Sequence, residues 1–385
     1  LIYDAIVAGL GGMGSSTLAH AAGRGLRVLG LEQFSRGHDR GSSAGESRII
    51  RQAYFEDPAY VPLVQHAYAR WRALEVASGR TVYRETGVLL AGSPHHASVQ
   101  NARASALLHG IRFEELDATQ IAQRYPRFAP RPDEIAIFEP AAGLIVPEAA
   151  IEAALRLAEG AGAELRFATP LRDWRTTDHG TIVVAAADGE RFEARRLALC
   201  LGPWFEAAAC ALGIPLVVER RVQHWFAPAG DGYGPADVPT FLLDRDEQPS
   251  RMYGFPDLGA GVKAAFHALG APTHADALDR TVTDDDIAPL HTALEAWMPG
   301  ATAAYARGKV CMYTLTPDEH FVLGLHPHAR NVVLAGGFSG HGFKFAAAIG
   351  DIVTDLLIDG ATRHPIDFLS PKRFRSAAAT TRAKT

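Results

Sequence analysis

Cysteine is scarce in this 385-residue chain: Cys200, Cys210 and Cys311 are the only three, and their spacing fits neither a zinc site nor a disulfide framework. A reducing cytoplasm is the expected setting, with Cys200 and Cys210 as core residues. Charge of one sign is lacking too. Lys and Arg number 38 against 43 Asp and Glu, a net charge of -5, which excludes a basic face for nucleic acid and a disordered acidic character. No apolar run is long enough to span a bilayer, and the first strand pattern starts so near residue 1 that a signal peptide is not expected. There is no internal repeat and no low-complexity linker. The closing SAAATTRAKT reads as a frayed tail without a peroxisomal address. With 48% hydrophobic and 21% charged residues, the composition is that of a large soluble enzyme with about two domains.

The positive evidence begins at the N-terminus. Residues 3–8, YDAIVA, form a short apolar strand pattern, followed by Gly9-Leu10-Gly11-Gly12-Met13-Gly14 and a helical STLAHAAGRG. In a G-x-G-x-x-G between strand and helix, the glycines allow a tight turn and let the backbone approach a pyrophosphate at the positive helix end. A second strand pattern, residues 27–31, ends in Glu32, where an acid can take hydrogen bonds from an adenosine ribose. Nucleotide-fold habits return in the helical PEAAIEAALRLAEGAGA, in RLALCLG near 197–202 and in NVVLAGG at 331–337, which feeds a helix from about 343 to 358. Strand patterns dominate residues 82–92, 134–146 and 216–315. The expected architecture is therefore α/β, with a Rossmann-type nucleotide-binding domain made of 1–79, 145–215 and 318–385. It is interleaved with an α+β substrate domain, 80–144 and 216–317, built on a large mixed or antiparallel sheet. Asp284-Asp285-Asp286 reads as a helix start, where carboxylates suit the dipole.

Other segments are more distinctive: GSSAGESRIIRQAYFEDPAYVPL, TGVLLAG, LGPW, YGFP, CMYTLTPDEHFVLGLHP and GFSGHGFKF. On these, and over nearly its whole length, the chain resembles the monomeric sarcosine oxidase family, which includes N-methyltryptophan and pipecolate oxidases, within the D-amino-acid-oxidase-like flavoproteins. The resemblance implies FAD, attached by an 8α-S-thioether to Cys311; by itself Cys311 would read as a buried packing residue. A nearby cation favours the reactive thiolate, and Lys309, Arg48 or Lys344 could supply it. Besides Gly9, Gly11, Gly12, Met13, Gly14 and Glu32, the implied cofactor contacts are Ser42, Ser43, Arg48, Gly202, Trp204 and Met312, and in the last loop Gly337, Ser339, Gly340, His341, Gly342 and Lys344. Oriented amides in that loop suit the negative charge of reduced flavin. One departure from the family pattern is Ala44, where relatives often carry histidine.

The resemblance also implies roles at the reacting end. Arg51 and Lys344 hold the substrate carboxylate, for which a planar, permanently charged guanidinium is suited, and Arg48 lies beside the flavin. In GVKAAFH, strand alternation puts Lys263, Ala265 and His267 on one face. Lys263 is implied to promote reaction with O2, while His267 and Tyr313 line the substrate cavity and Tyr253 completes an aromatic wall that favours a cationic or N-methylated amine. The cavity is expected to lie between His224, Trp225, Phe241, Tyr253 and His267. The implied activity is oxidation of sarcosine or a similar N-methyl amino acid to an imine, with O2 reduced to H2O2, by a monomer whose partners are a small amino acid and O2, without nucleic acid or membrane. Pipecolate, N-methyltryptophan, a dehydrogenase using another electron carrier, and a flavin subunit of a larger assembly are the alternatives. No metal is expected, and His326-Pro-His328 lacks a third ligand at usable spacing.

Overall fold

The computed structural model describes residues 1–374, so the tail read above as frayed lies outside the described residues. Among them, six strands form a sheet in the order 164–166, 28–31, 5–8, 197–199, 329–336 and 322–326. The first five run parallel and the last is antiparallel to its neighbour. Both faces are covered, which is why AIVA and VLGL are apolar throughout. Val7, Val28, Ala198 and Val333 face the helices Gly12–Gly23 and Ala346–Asp359. Ile6, Leu29, Leu197 and Val332 point the other way, onto a smaller sheet that contains Ile182–Ala186 and Arg191–Ala194.

A second, eight-stranded sheet runs in the order 304–315, 217–227, 262–266, 252–255, 240–244, 88–92, 135–139 and 114–117. It is antiparallel except where 240–244 lies parallel to 88–92. Alternation gives it two unlike faces. One carries Phe226, Phe241, Val262 and Ala264 into a core closed by Leu290, Leu294 and Trp297 of helix Asp284–Trp297. The other carries Gln223, Tyr253, Lys263 and His267 toward the nucleotide-type sheet. The helix start read at Asp284 is present, with Thr283 and Asp286 forming a capping box.

Local differences from the sequence reading have simple causes. Leu171–Thr176 is a strand that was not foreseen, because it is largely solvated and carries little apolar signal. The last helix begins at Ala346, preceded by a 3-10 turn at Phe343–Phe345. Cys210, expected in the core, is exposed: it ends the short helix Phe205–Cys210, whose buried side is Phe205 and Ala209. No described helix is long and apolar enough to cross a membrane.

Candidate active site

A cavity of about 670 Å³ runs between the two large sheets. Its first stretch is the turn after strand Ala5–Ala8, where Gly9, Gly11, Gly12 and Met13 all reach the lining. Gly9 has φ +86°, and a Cβ there would meet the Cys200 carbonyl oxygen at 2.4 Å. Gly14, the last glycine of the fingerprint, does not line the cavity. Its hypothetical Cβ would lie 1.7 Å from the Gly9 oxygen, so it serves the close packing of helix on strand. Glu32 stands at the far end, accepting from the amides of Leu10 at 2.8 Å and Phe34 at 3.1 Å. Burial raises its pKa, but His38 and these amides outweigh burial and leave it below the ordinary value. Gly202 and Trp204 line the same end, and Trp204 donates to Asp276 at 2.6 Å.

The middle of the cavity is built by two loops. In 42–48, Ser42, Ser43, Ala44 and Arg48 line the wall. Arg48 donates to the carbonyls of Ser47 at 2.8 Å, Ser42 at 3.0 Å and Ala44 at 2.6 Å. It lines the cavity and has no carboxylate within ion-pair distance among the described residues. The Ala44 contribution is main-chain, which leaves the arginine's anchoring intact despite the missing side chain. Opposite lie Met312 and Tyr313, with Gly337, Ser339, Gly340, His341, Gly342 and Lys344. Gly340, at φ +78°, must lack a Cβ because one would fall 2.2 Å from the Tyr313 ring. His341 presents no free ring nitrogen: Nε2 donates to the Glu319 carbonyl and Nδ1 accepts from Tyr54. Its role is to anchor the loop.

Two expected residues lie behind this lining. Cys311 is buried, and Gln223 Nε2 donates to its Sγ at 3.2 Å. Gln223 also stands 3.5 Å from Arg48, whereas Lys309 pairs with Asp39 at 3.3 Å. Lys263 donates to Gly45 O at 2.5 Å, Ser47 O at 3.0 Å and Ser47 Oγ at 3.1 Å. It borders a separate cavity of about 180 Å³ rather than the main one. Burial, then the Arg48 charge, pushes its pKa well below the ordinary lysine value.

At the remaining end, Arg51, Lys344, Tyr253, His267 and Tyr313 converge. Arg51 is buried and already holds a carboxylate: it donates to Glu56 at 2.6 and 2.8 Å. Burial raises the Glu56 pKa, but Arg51, His341 and Lys344 more than reverse this and bring it to about 2. Lys344 donates to the His341 carbonyl at 2.9 Å, and burial lowers its pKa to about 7 against the opposing pull of Glu56. Burial also takes His267 to about 3, so its imidazole is neutral. Its ring centroid lies 5.7 Å from that of Tyr313.

The expected cavity wall needs correction at three positions. Phe241 lies in the core on the other face of the large sheet. His224 points to that side as well, against Tyr305 at 3.3 Å. Trp225 is on the inner face but belongs to the small cavity, with Arg307 3.8 Å from its ring centroid. Residues not foreseen include Glu56, Phe55, Arg251 and Gln223. An acid five positions after Arg51 in RQAYFED was the available signal for Glu56; the others come together only through strand pairing and loop placement.

As a test of cofactor fit, the glycine turn, the acid 22 residues beyond Leu10 and Arg48, which has no carboxylate partner among the described residues, all line one cavity suited to a dinucleotide. A metal fits less well. His66, Asp351 and His364 converge, but Asp351 is already paired with Arg24 and with Arg70 at 2.9 Å, cations that a metal ion would have to displace.

Residues 4–356 match the family model described as FAD dependent oxidoreductase. The chain is 41% identical to the monomeric sarcosine oxidase of Streptomyces avermitilis over 383 residues, covering 98% of this chain and 99% of that one. It is 31% identical to the N-methyl-L-tryptophan oxidase of Yersinia pestis (strain Pestoides F), covering 97% and 100%. Among solved structures, the open form of NikD, an amino acid oxidase of nikkomycin biosynthesis, matches with a TM-score of 0.85 at 25% identity, covering 96% of this chain and 97% of that one.

Proposed function

Because the chain belongs to the FAD dependent oxidoreductase family, we propose that it is a flavin-dependent oxidase of small secondary amino acids, of the kind for which its sarcosine oxidase relatives are named. The observation that carries this reading is the pair Arg51 and Lys344 at one end of a cavity whose other end is a dinucleotide cradle. The cofactor is FAD, which when bound supplies the two-electron acceptor and passes the electrons to O2. In the balanced reaction the substrate loses one hydrogen from carbon and one from nitrogen, O2 gains both as H2O2, and one water hydrolyses the imine to an amine and a carbonyl compound.

The chain's own residues supply positioning and electrostatics. The substrate carboxylate takes Arg51 from Glu56, and Lys344 adds a second donor. A fixed carboxylate leaves the carbon only small freedom, and such restriction accounts for a large part of many enzymatic rate enhancements. Neutral His267 adds no charge to repel an incoming amine, and Tyr253 and Tyr313 offer ring faces that attract a cationic nitrogen. We assign promotion of the reaction with O2 to Lys263, which the Gly45 and Ser47 oxygens fix behind the 42–48 loop. Cys311 is the assigned attachment point, its sulfur already oriented by the Gln223 amide. Arg48 and the loop 339–344 would hold the ring system's polar edge. We assign 1–79, 145–215 and 318–385 to the flavin domain, 80–144 and 216–317 to the substrate domain, and the working form to a cytoplasmic monomer.

Absorbance of acid-precipitated, washed protein, followed by a peroxide-coupled screen of secondary amino acids, tests this. Yellow colour in the pellet that is lost in Cys311→Ala, together with peroxide formed from sarcosine or a relative, is expected. Colour wholly in the supernatant would remove the covalent assignment. Flavin reduction by substrate without O2 uptake would favour a dehydrogenase.

A further inference from the structure

Arg251 lines the main cavity beside the residues proposed to bind substrate, and neither the fingerprint nor the clamp accounts for it. Met252 pairs with Phe266 and Tyr253 with Ala265, so the register sets Arg251 directly across from His267, whose amide donates to the Arg251 carbonyl at 2.9 Å. The two side chains therefore emerge next to each other on the inner face. The guanidinium is fixed from behind. Its Nε donates to Asp244 at 2.6 Å, and buried Asp244 is itself held by the Ser98 hydroxyl at 2.8 Å. The guanidinium carbon lies 4.0 Å from the Phe55 ring centroid, and that of Arg51 lies 3.8 Å from the same centroid. Both terminal nitrogens of Arg251 lack a protein acceptor among the described residues. A planar fork anchored through Nε, with its other edge open, is arranged to receive a carboxylate in bidentate fashion.

We propose that the preferred substrate carries two carboxylates, the first held by Arg51 and Lys344 and the second by the open edge of Arg251. This rests on the amine-oxidase reading above and narrows its substrate class. Since both guanidinium carbons lie within 4.0 Å of the same ring centroid, the spacing suits a short dicarboxylate. The second carboxylate can stand on the side chain, as in an N-methylated acidic amino acid, or on the nitrogen substituent, as in an N-carboxyalkyl amino acid. A neutral substrate would leave the open edge of the fork without its partner, which is how a polar site discriminates against an analogue lacking the matching group.

The test compares kcat and KM of the purified, flavin-loaded enzyme on N-methylaspartate and N-methylglutamate, on their neutral counterparts N-methylasparagine and N-methylnorvaline, on iminodiacetate, and on sarcosine. At least one dicarboxylate is expected to exceed its neutral counterpart in kcat/KM by about tenfold or more, chiefly through KM. That ratio should collapse in Arg251→Met and survive in part in Arg251→Lys. Arg251→Gln, which can keep a bond to Asp244, provides the same comparison if the methionine variant does not accumulate. Preference for the N-methyl acids or for iminodiacetate decides where the second carboxylate sits. Equal or better turnover of the neutral compounds, or a preference that persists without Arg251, overturns the proposal while leaving the oxidase reading standing if sarcosine is consumed. No turnover of any secondary amino acid would remove both.

Discussion

Arg51 and Glu56 make a resident ion pair, with N–O distances of 2.6 and 2.8 Å, at the place proposed above for the substrate carboxylate. Glu56 therefore competes with the ligand. Replacing it, as Glu56→Gln, should tighten binding of acetate, a carboxylate with no amine to titrate, by about tenfold at pH 6, in keeping with the strength of a charged hydrogen bond. Unchanged or weaker binding, followed by the flavin absorbance change, would count against the competition. Lys344 gives a second, pH-dependent expectation. With its pKa lowered to about 7 by burial, it is charged and attractive below that value and neutral above it. The dissociation constant for acetate should therefore rise as pH passes through about 7, and Lys344→Met should bind weakly with no such rise. A flat wild-type profile would mean that Arg51 alone holds the anion. At this scale much was legible: Arg51, Lys344, Tyr253, His267 and Tyr313 do converge. Glu56 was not foreseen: an acid five positions after Arg51 is a signal that the two could pair, but the local pattern does not fix the loop that folds one back onto the other.

Between elements, one close fit is where helix Ala346–Asp359 crosses helix Gly12–Gly23. A Cβ on Gly350 would stand 2.2 Å from Ser16 Oγ and 2.5 Å from the Ser16 carbonyl carbon, so the helices would have to separate. Gly23, at the open end of its helix, has nothing within 4 Å of the same probe position. Opposite results are expected for the same substitution. Gly23→Ala should stabilise by up to about 1 kcal/mol through lower chain entropy, whereas Gly350→Ala should cost about 1–3 kcal/mol through overpacking. Thermal unfolding of the two variants beside the parent checks this, and a Gly350→Ala midpoint at or above the parent's would contradict the packing account. The apolar strands and the glycine turn were readable as elements because local pattern specifies them. Which face of a strand meets the cavity was not: a period of two groups His224 with Phe226 and Lys263 with His267, yet it cannot say which group faces the ligand. Phe241 was misplaced for that reason.

For the whole molecule, burial of titratable groups ties stability to pH. His20 and His341 are lowered to about 4 and His267 to about 3, chiefly by desolvation. An unfolded chain binds protons at these sites near 6.5 and the folded one does not, so stability falls as pH drops from about 6.5 toward 4. Glu56 and Asp286, both held at about 2 in the fold, add stability above the ordinary carboxylate range that is lost as pH falls from about 4.5 toward 2. The unfolding temperature should thus decline in two overlapping stages on acidification; a constant midpoint between pH 6.5 and 4.5 would refute the histidine part. The amino-acid sequence by itself determined the nucleotide fingerprint, the α/β class, the segments of both large sheets and most cavity-lining residues, because glycine turns, apolar periodicity and local motifs act over short stretches of chain. Only the tertiary structure decided that Lys263 and Cys311 stand behind the main cavity's lining, that Glu56 occupies Arg51, and that Arg251 lies open beside His267. Those facts depend on strand register and on how loops from distant parts of the chain close over one another, and no local pattern encodes that.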